Sequence, residues 1–121
     1  MFTITPAPLC LRCGRQALTQ LNAPSRITPV TAKAGLIGFT RALAHELAPD
    51  KIRVNTVTPG VMAAPRPAGQ PEPQHHSLVH ALAGRRGEPS DIAAAVRFLC
   101  GPGASFITGQ NIQVNGGTFL G

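Results

Sequence analysis

Residues 28–60 read Thr28-Pro-Val-Thr-Ala-Lys33-Ala-Gly-Leu36-Ile-Gly-Phe39-Thr-Arg-Ala-Leu43-Ala-His-Glu-Leu47-Ala-Pro49-Asp-Lys51-Ile-Arg-Val-Asn-Thr-Val-Thr58-Pro-Gly60, and two periods meet in that stretch. Leu36, Phe39, Leu43 and Leu47 recur at spacings of three and four, and Ile37, Thr40 and Ala44 widen the stripe. Thr28 suits an N-cap and Pro29 the first helical position. The pattern predicts an amphipathic helix that ends before Pro49. From Lys51 the period changes to two. Ile52, Val54 and Thr56 alternate with Arg53, Asn55 and Val57, which predicts a strand over 51–58 closed by Pro59-Gly60. A helix feeding a strand is the repeating step of an α/β fold.

The same reading extends in both directions. Pro89 opens a second helix, capped by Glu88 or with Ser90 near the turn, with Ile92, Ala95, Val96 and Leu99 on one face. Gly101 and Pro102 stop it, the glycine in its usual place past the last turn. Asn111-Ile-Gln-Val-Asn115 is a last short strand, closed by Gly116-Gly117. A strand, a crossover helix and another strand predict a parallel, right-handed unit. Residues 60–74, with Pro65, Pro67, Pro71 and Pro73, read as an exposed loop, and a short helix is expected over 75–83. Residues 1–27 hold no sustained period and read as an irregular lead-in, with a short helix near 14–21. The expectation is therefore an incomplete α/β fold with two short parallel strands, packed helices and an irregular N-terminus, divided into 1–27 and 28–121.

Composition narrows the function. The chain has 121 residues, enough for one small domain, and 43% are apolar against 13% charged, so disorder throughout is not expected. Without Tyr, no mechanism here draws on a phenol. The net charge is +6, but the basic residues are scattered, with no run longer than Arg85-Arg86 and few aromatics among them. That favours a soluble protein with surface Arg over a nucleic-acid surface. No segment has the ~20 apolar residues of a membrane span. Three Cys form no even framework and fit a reducing, cytoplasmic location. Cys10-Leu-Arg-Cys13-Gly14 is half of a zinc knuckle, but Cys100 stands alone and His75, His76 and His80 lie in the Pro-rich region. Free thiols and no metal site are the expectation.

Four pieces taken in order resemble the C-terminal part of the short-chain dehydrogenase/reductase family, with the flavour of its 3-oxoacyl-carrier-protein reductases. They are Thr31–Ala48, Ile52–Gly60, Gly84-Arg-Arg-Gly-Glu-Pro-Ser-Asp-Ile-Ala93 with Phe98-Leu99, and Ile107-Thr-Gly-Gln-Asn-Ile-Gln-Val-Asn-Gly-Gly117. The resemblance implies the last portion of a Rossmann-like, doubly wound sheet. It also implies NAD or NADP as cofactor and hydride exchange with a carbonyl or alcohol.

The family's central motif is Tyr-x-x-x-Lys on one helix. Positions four apart share a face, so the ammonium favours the phenolate and the Tyr can exchange a proton near neutral pH. Here Lys33 stands at the Lys position and Pro29 at the Tyr position. By itself Lys33 reads as a solvated lysine on the helix's first turn; the resemblance gives it the catalytic position and a contact with the nicotinamide ribose. The Ser that the family places on an earlier strand has no match, Thr19 being the nearest hydroxyl and Ser25 too close. No Gly-rich phosphate loop occurs, since Gly101-Pro-Gly103 follows a helix rather than a strand. After the sixth strand the family contacts the nicotinamide amide with Pro-Gly-x-x-x-Thr. Pro59, Gly60 and the backbone of Met62 match that piece, while Ala64 replaces the Thr. Asn115-Gly116-Gly117 stands for the family's Asp-Gly-Gly, and Arg85, Arg86, Glu88 and Asp91 read as a loop and helix cap. The chain is thus expected to be inactive alone. Alternatively it serves as an interaction module, the uncovered Leu36–Leu47 stripe meeting a second copy or a full-length relative.

Overall fold

The computed structural model describes residues 9–12, 27–63, 68–69 and 81–120. Strand β1 (Leu9–Arg12) is followed by helix α1 (Ile27–Glu46), strand β2 (Val54–Pro59), helix α2 (Pro89–Cys100), a 3-10 turn (Pro102–Ala104) and strand β3 (Asn111–Val114). The strands form one parallel sheet in the order β1-β2-β3. The α/β reading stands, and β2 and β3 lie where the periodicity put them, with β2 starting at Val54 rather than Lys51. The sheet has a third strand, drawn from the segment read as an irregular lead-in. Leu9 pairs with Val54 and Arg12 with Val57. Four residues are too few to show a period, so β1 becomes visible only through its partner. The short helix expected near 14–21 lies outside the described residues. Of the one expected over 75–83, residues 81–83 are described and end in a turn.

α1 turns the Thr40 and Ala44 side of its predicted stripe to the sheet. Thr40 and Ala44 are buried, Phe39 is 52% exposed, and Leu36, Leu43 and Leu47 are half-buried at the flanks. The Thr40 hydroxyl donates to the Leu36 carbonyl at 2.7 Å and pairs with the Thr56 hydroxyl of β2. With its own proton committed to Leu36, Thr40 is the acceptor from Thr56. Small side chains let the helix approach the β-branched surface of Val54 and Thr56, both fully buried. The branched residues of the stripe are left to the sides.

On the opposite face Val57, Ile92, Leu99 and Ala104 form the apolar core, with Val96, Ile107, Ile112 and Val114 against it. Successive strand residues point to opposite faces, so Thr56 meets α1 and Val57 meets α2. The two helices therefore cover opposite sides of the sheet. Both crossovers step the same way, from β1 to β2 and from β2 to β3. Two such steps with helices on opposite faces cannot have the same hand. The right-handed rule expected of these units fails for one of the two connections.

Polar groups tie the ends of these elements together. Asn55 is buried; its Nδ2 donates to the Ile107 carbonyl at 2.9 Å and its Oδ1 accepts from the Gln110 N–H at 3.1 Å. Beside it the Arg53 guanidinium donates to the carbonyls of Leu99 at 2.9 Å and Gly101 at 3.3 Å. It satisfies the Leu99 carbonyl at the end of α2 and shares the Gly101 carbonyl with the Ala104 N–H. Asn55→Ala is expected to destabilise the chain by about 1–2 kcal/mol, since the buried side chain loses its bonds to the Ile107 carbonyl and the Gln110 N–H. Urea unfolding followed by circular dichroism measures it, and a loss below about 0.5 kcal/mol would contradict this account.

Candidate functional site

In parallel α/β sheets, ligands bind at the carboxyl ends of the strands. Here that edge is built by the turn after β2, the turn after β3 and the N-terminal half of α1. Ala44 of α1 lies near Gly109, whose N–H donates to the Val54 carbonyl at the start of β2. Thr40 sits at Thr56, so α1 runs opposite to β2. Seven residues of helix before Thr40 and three of strand after Thr56 each span about 10 Å. Lys33 is therefore level with Pro59 and Gly60. It is half-buried and stands on the second turn of α1, not on the first turn that the capping pattern implied. Pro29 lies one turn before it in the same helix.

Gly60 is required by its neighbour. A Cβ there would lie 2.7 Å from Asn115 Cα and 2.8 Å from the Asn115 carbonyl oxygen. The Gly60 N–H donates to the Val114 carbonyl at 3.1 Å. Asn115 closes the turn it opens, its Oδ1 accepting the Gly117 N–H and its Nδ2 donating to the Phe119 carbonyl, both at 2.9 Å. Gly116 and Gly117 have φ of 61° and 79°, a region that glycine enters without strain. Asn115 thus does by hydrogen bonding what the turn needs, with no charge.

Beyond Gly60 the chain pairs again. Met62 and Gly87 form a parallel bridge, with the Ala63 N–H donating to the Gly87 carbonyl at 2.7 Å and the Gly87 N–H to the Val61 carbonyl at 3.0 Å. In this register the N–H and C=O of Met62 itself point away from Gly87. A donor and an acceptor on one residue, side by side, match a primary carboxamide. The residues present therefore fit the nicotinamide end of a dinucleotide. For its phosphates the sequence offers no Gly-rich loop.

Gly87 belongs to a short strap tied to α2. Arg85 donates to both oxygens of Asp91, at 2.7 and 2.8 Å, and Asp91 Oδ2 also accepts the Glu88 N–H at 2.7 Å. These bonds, from Arg85 first and then from the Glu88 amide, hold the Asp91 carboxyl well below the usual carboxylate range. The same pairing raises the Arg85 guanidinium. The loop-and-cap reading of these residues matches the geometry.

The sequence picked out Pro59, Gly60, Met62 and Lys33, and the structure sets all four at one edge of the sheet. It missed Gly87, whose only signal was a glycine between Arg86 and Glu88, and Asn55 and Arg53, polar residues inside an apolar strand. An open groove of about 500 Å³ between Arg41, His45 and Thr108–Gln110 lies at the opposite end of the sheet and takes no part in this edge. Cys10 lies in β1, while Cys13 and His75, His76 and His80 fall outside the described residues. Among the described residues no group of His, Cys, Asp and Glu is placed to hold a metal ion, and no helix is long and apolar enough to cross a membrane.

Residues 18–118 match the family described as enoyl-(acyl carrier protein) reductase. The 3-oxoacyl-(acyl-carrier-protein) reductase of Vibrio cholerae is 44% identical over 90 residues, covering 74% of this chain and 37% of that protein. The Aquifex aeolicus protein of the same name is 47% identical over 90 residues, covering 74% and 36%. Among solved structures, a short-chain dehydrogenase/reductase from Brucella melitensis superposes with a TM-score of 0.73 at 34% identity, covering 96% of this chain and 44% of that one. A blue fluorescent protein from a metagenomic library, solved in complex with NADPH, gives a TM-score of 0.78 at 28% identity, with coverage of 95% and 46%. The chain spans less than half the length of each of these relatives.

Two outcomes follow from the site geometry. Gly60→Ala forces a Cβ onto the Asn115 backbone and is expected to destabilise the chain by about 2 kcal/mol or more, as read by urea unfolding. Asp91 is depressed in the folded chain. Its contribution to stability is complete above the ordinary carboxylate pKa of about 4 and fades as pH falls through the lower folded value. Native chain and Asp91→Asn should therefore differ in unfolding midpoint at pH 7 and converge as pH drops below about 4. A difference that stays constant with pH would sink this assignment.

Proposed function

The chain belongs to the short-chain dehydrogenase/reductase family, and from that premise we propose that it carries the nicotinamide-facing edge of an NAD- or NADP-dependent oxidoreductase without catalytic competence of its own. The observation that carries this reading is Pro29, four residues before Lys33 on α1. The family's proton donor needs an ionisable hydroxyl at that place, and proline has none. Neither the partner Ser nor a Gly-rich phosphate loop has a counterpart in the sequence.

When bound, the dinucleotide supplies the hydride that reduces a carbonyl or takes one from an alcohol. The backbone N–H and C=O of Met62 would hold the carboxamide of its nicotinamide. Gly60 lets the chain turn beneath Asn115, and Lys33, level with that turn, would hold the ribose. The identities to 3-oxoacyl-(acyl-carrier-protein) reductases favour a β-ketoacyl thioester as the substrate class of the complete enzyme. A cytoplasmic location accords with the odd cysteine count and with that chemistry.

A second reading is an interaction module that associates with another copy or with a full-length relative. Two features of α1 favour it. Phe39 is 52% exposed, and the exposed Gly35 and Gly38 have open space where a Cβ would go. Helix-interior glycines cost about 1 kcal/mol each relative to alanine, a loss that close approach of a second helix would offset. Gly35→Ala and Gly38→Ala should each stabilise a monomer by up to about 1 kcal/mol. If α1 is an interface, they should instead weaken self-association in sedimentation.

The catalytic reading is tested with the purified chain, NADPH or NADH, and an acetoacetyl thioester. No oxidation of either nucleotide is expected, and Lys33→Ala should change nothing. Turnover that disappears in Lys33→Ala would overturn the proposal.

A further inference from the structure

Which backbone groups the turn after β2 offers to a ligand depends on register. In a parallel bridge the bridged residue on one side turns its own N–H and C=O outward, while its two neighbours bond inward. With Met62 opposite Gly87, it is Met62 that faces outward. A slip of one residue would turn Met62 towards the strap and present Val61 or Ala63 instead. The register is therefore the property that decides whether a carboxamide finds a matched donor and acceptor.

We propose that the Gly84–Glu88 strap is the positioning element that sets this register, with Gly87 and Asp91 as its positioning residues. The proposal rests on the reading of Met62 as the nicotinamide contact. Gly87 selects its partner by shape. A Cβ on Gly87 would lie 2.8 Å from Met62 Sδ and 3.1 Å from Met62 Cε. The thioether, the far end of a flexible side chain, lies where that Cβ would go, so a side chain on Gly87 has to displace it from the apolar core under α2 against which it also rests. Asp91 fixes the strap from the other side. Its carboxylate takes two bonds from Arg85 and one from the Glu88 N–H, the residue next to Gly87. A bidentate guanidinium pair with a third donor defines one geometry, whereas a single exposed ion pair does not. The first turn of α2 thereby reaches the outward-facing amide of Met62 through rigid links: Asp91, Glu88, Gly87, and the two bonds to Val61 and Ala63.

Amide hydrogen exchange by NMR on the whole chain tests this. In Gly87→Ala the Ala63 N–H should exchange about tenfold faster or more than in the native chain, while the Thr56 and Gly109 N–H groups at the other end of β2 keep their rates. Adding Met62→Ala removes the thioether from the path of the new Cβ and should restore protection of Ala63. Should Gly87→Ala fail to fold, Asp91→Asn serves the same purpose, because it removes charge without adding bulk; it too should release Ala63 selectively. Unchanged Ala63 exchange in these variants, or equal acceleration of all three amides, would overturn the proposal. Titration of the native chain with nicotinamide mononucleotide is read separately at the Met62 N–H. Selective release of Ala63 without any shift of Met62 would leave the strap as the register device and remove the nicotinamide contact.

Discussion

The carboxamide of Asn55 sits where three parts of the chain converge, and both of its ends are used. It donates to Ile107 and accepts from Gln110, so the segment leading into β3 is fixed against the first half of β2. The Thr56 N–H then donates to the Gln110 carbonyl at 2.8 Å, and the Val54 carbonyl accepts from Gly109 at 2.7 Å. Arg53, two residues away on the same face, gathers the carbonyls at the end of α2. The parallel pairing of β2 and β3, the arrival of α2 and the closure of the core at Leu99 and Ala104 all depend on this buried seam. A core this small has little apolar area to spare, so hydrogen bonds in a low-dielectric interior carry much of the specificity.

From that seam the sheet transmits order to its other end. β2 and β3 run parallel as far as Pro59 and Val114, and there Gly60 and Asn115 approach more closely than any side chain permits. The contact fixes where β2 stops and where the next segment starts. The strap from α2 then meets that segment at Met62. One edge of the sheet thus has a defined backbone shape, with Lys33 brought level by the rise of α1. Pro29, one turn before Lys33 on α1, brings no ionisable hydroxyl to this edge.

Much of the architecture was legible from residue order. Both helices follow from apolar spacing, and α2 ends at Gly101, whose N–H donates to the Phe98 carbonyl at 3.0 Å. β2 and β3 follow from alternation and their closing turns, and the Pro59-Gly60 and Asn115-Gly116-Gly117 turns from residues that favour them. Within the predicted stripe, burial is deepest at Thr40 and Ala44 rather than at the leucines. Hydrophobic spacing marks residues able to be buried, but the fit against a branched strand surface selected Thr40 and Ala44, which are small.

By itself the sequence determined the kinds of element, their order, the turns that end them and the absence of an ionisable hydroxyl four residues before Lys33. Those depend on interactions within a few residues, which local order fully specifies. The tertiary structure alone decided that Leu9–Arg12 is a strand, that the two helices lie on opposite faces, and that Gly87 rather than a neighbour meets Met62. Each of these is a contact between segments far apart along the chain, set by packing space and hydrogen-bond register.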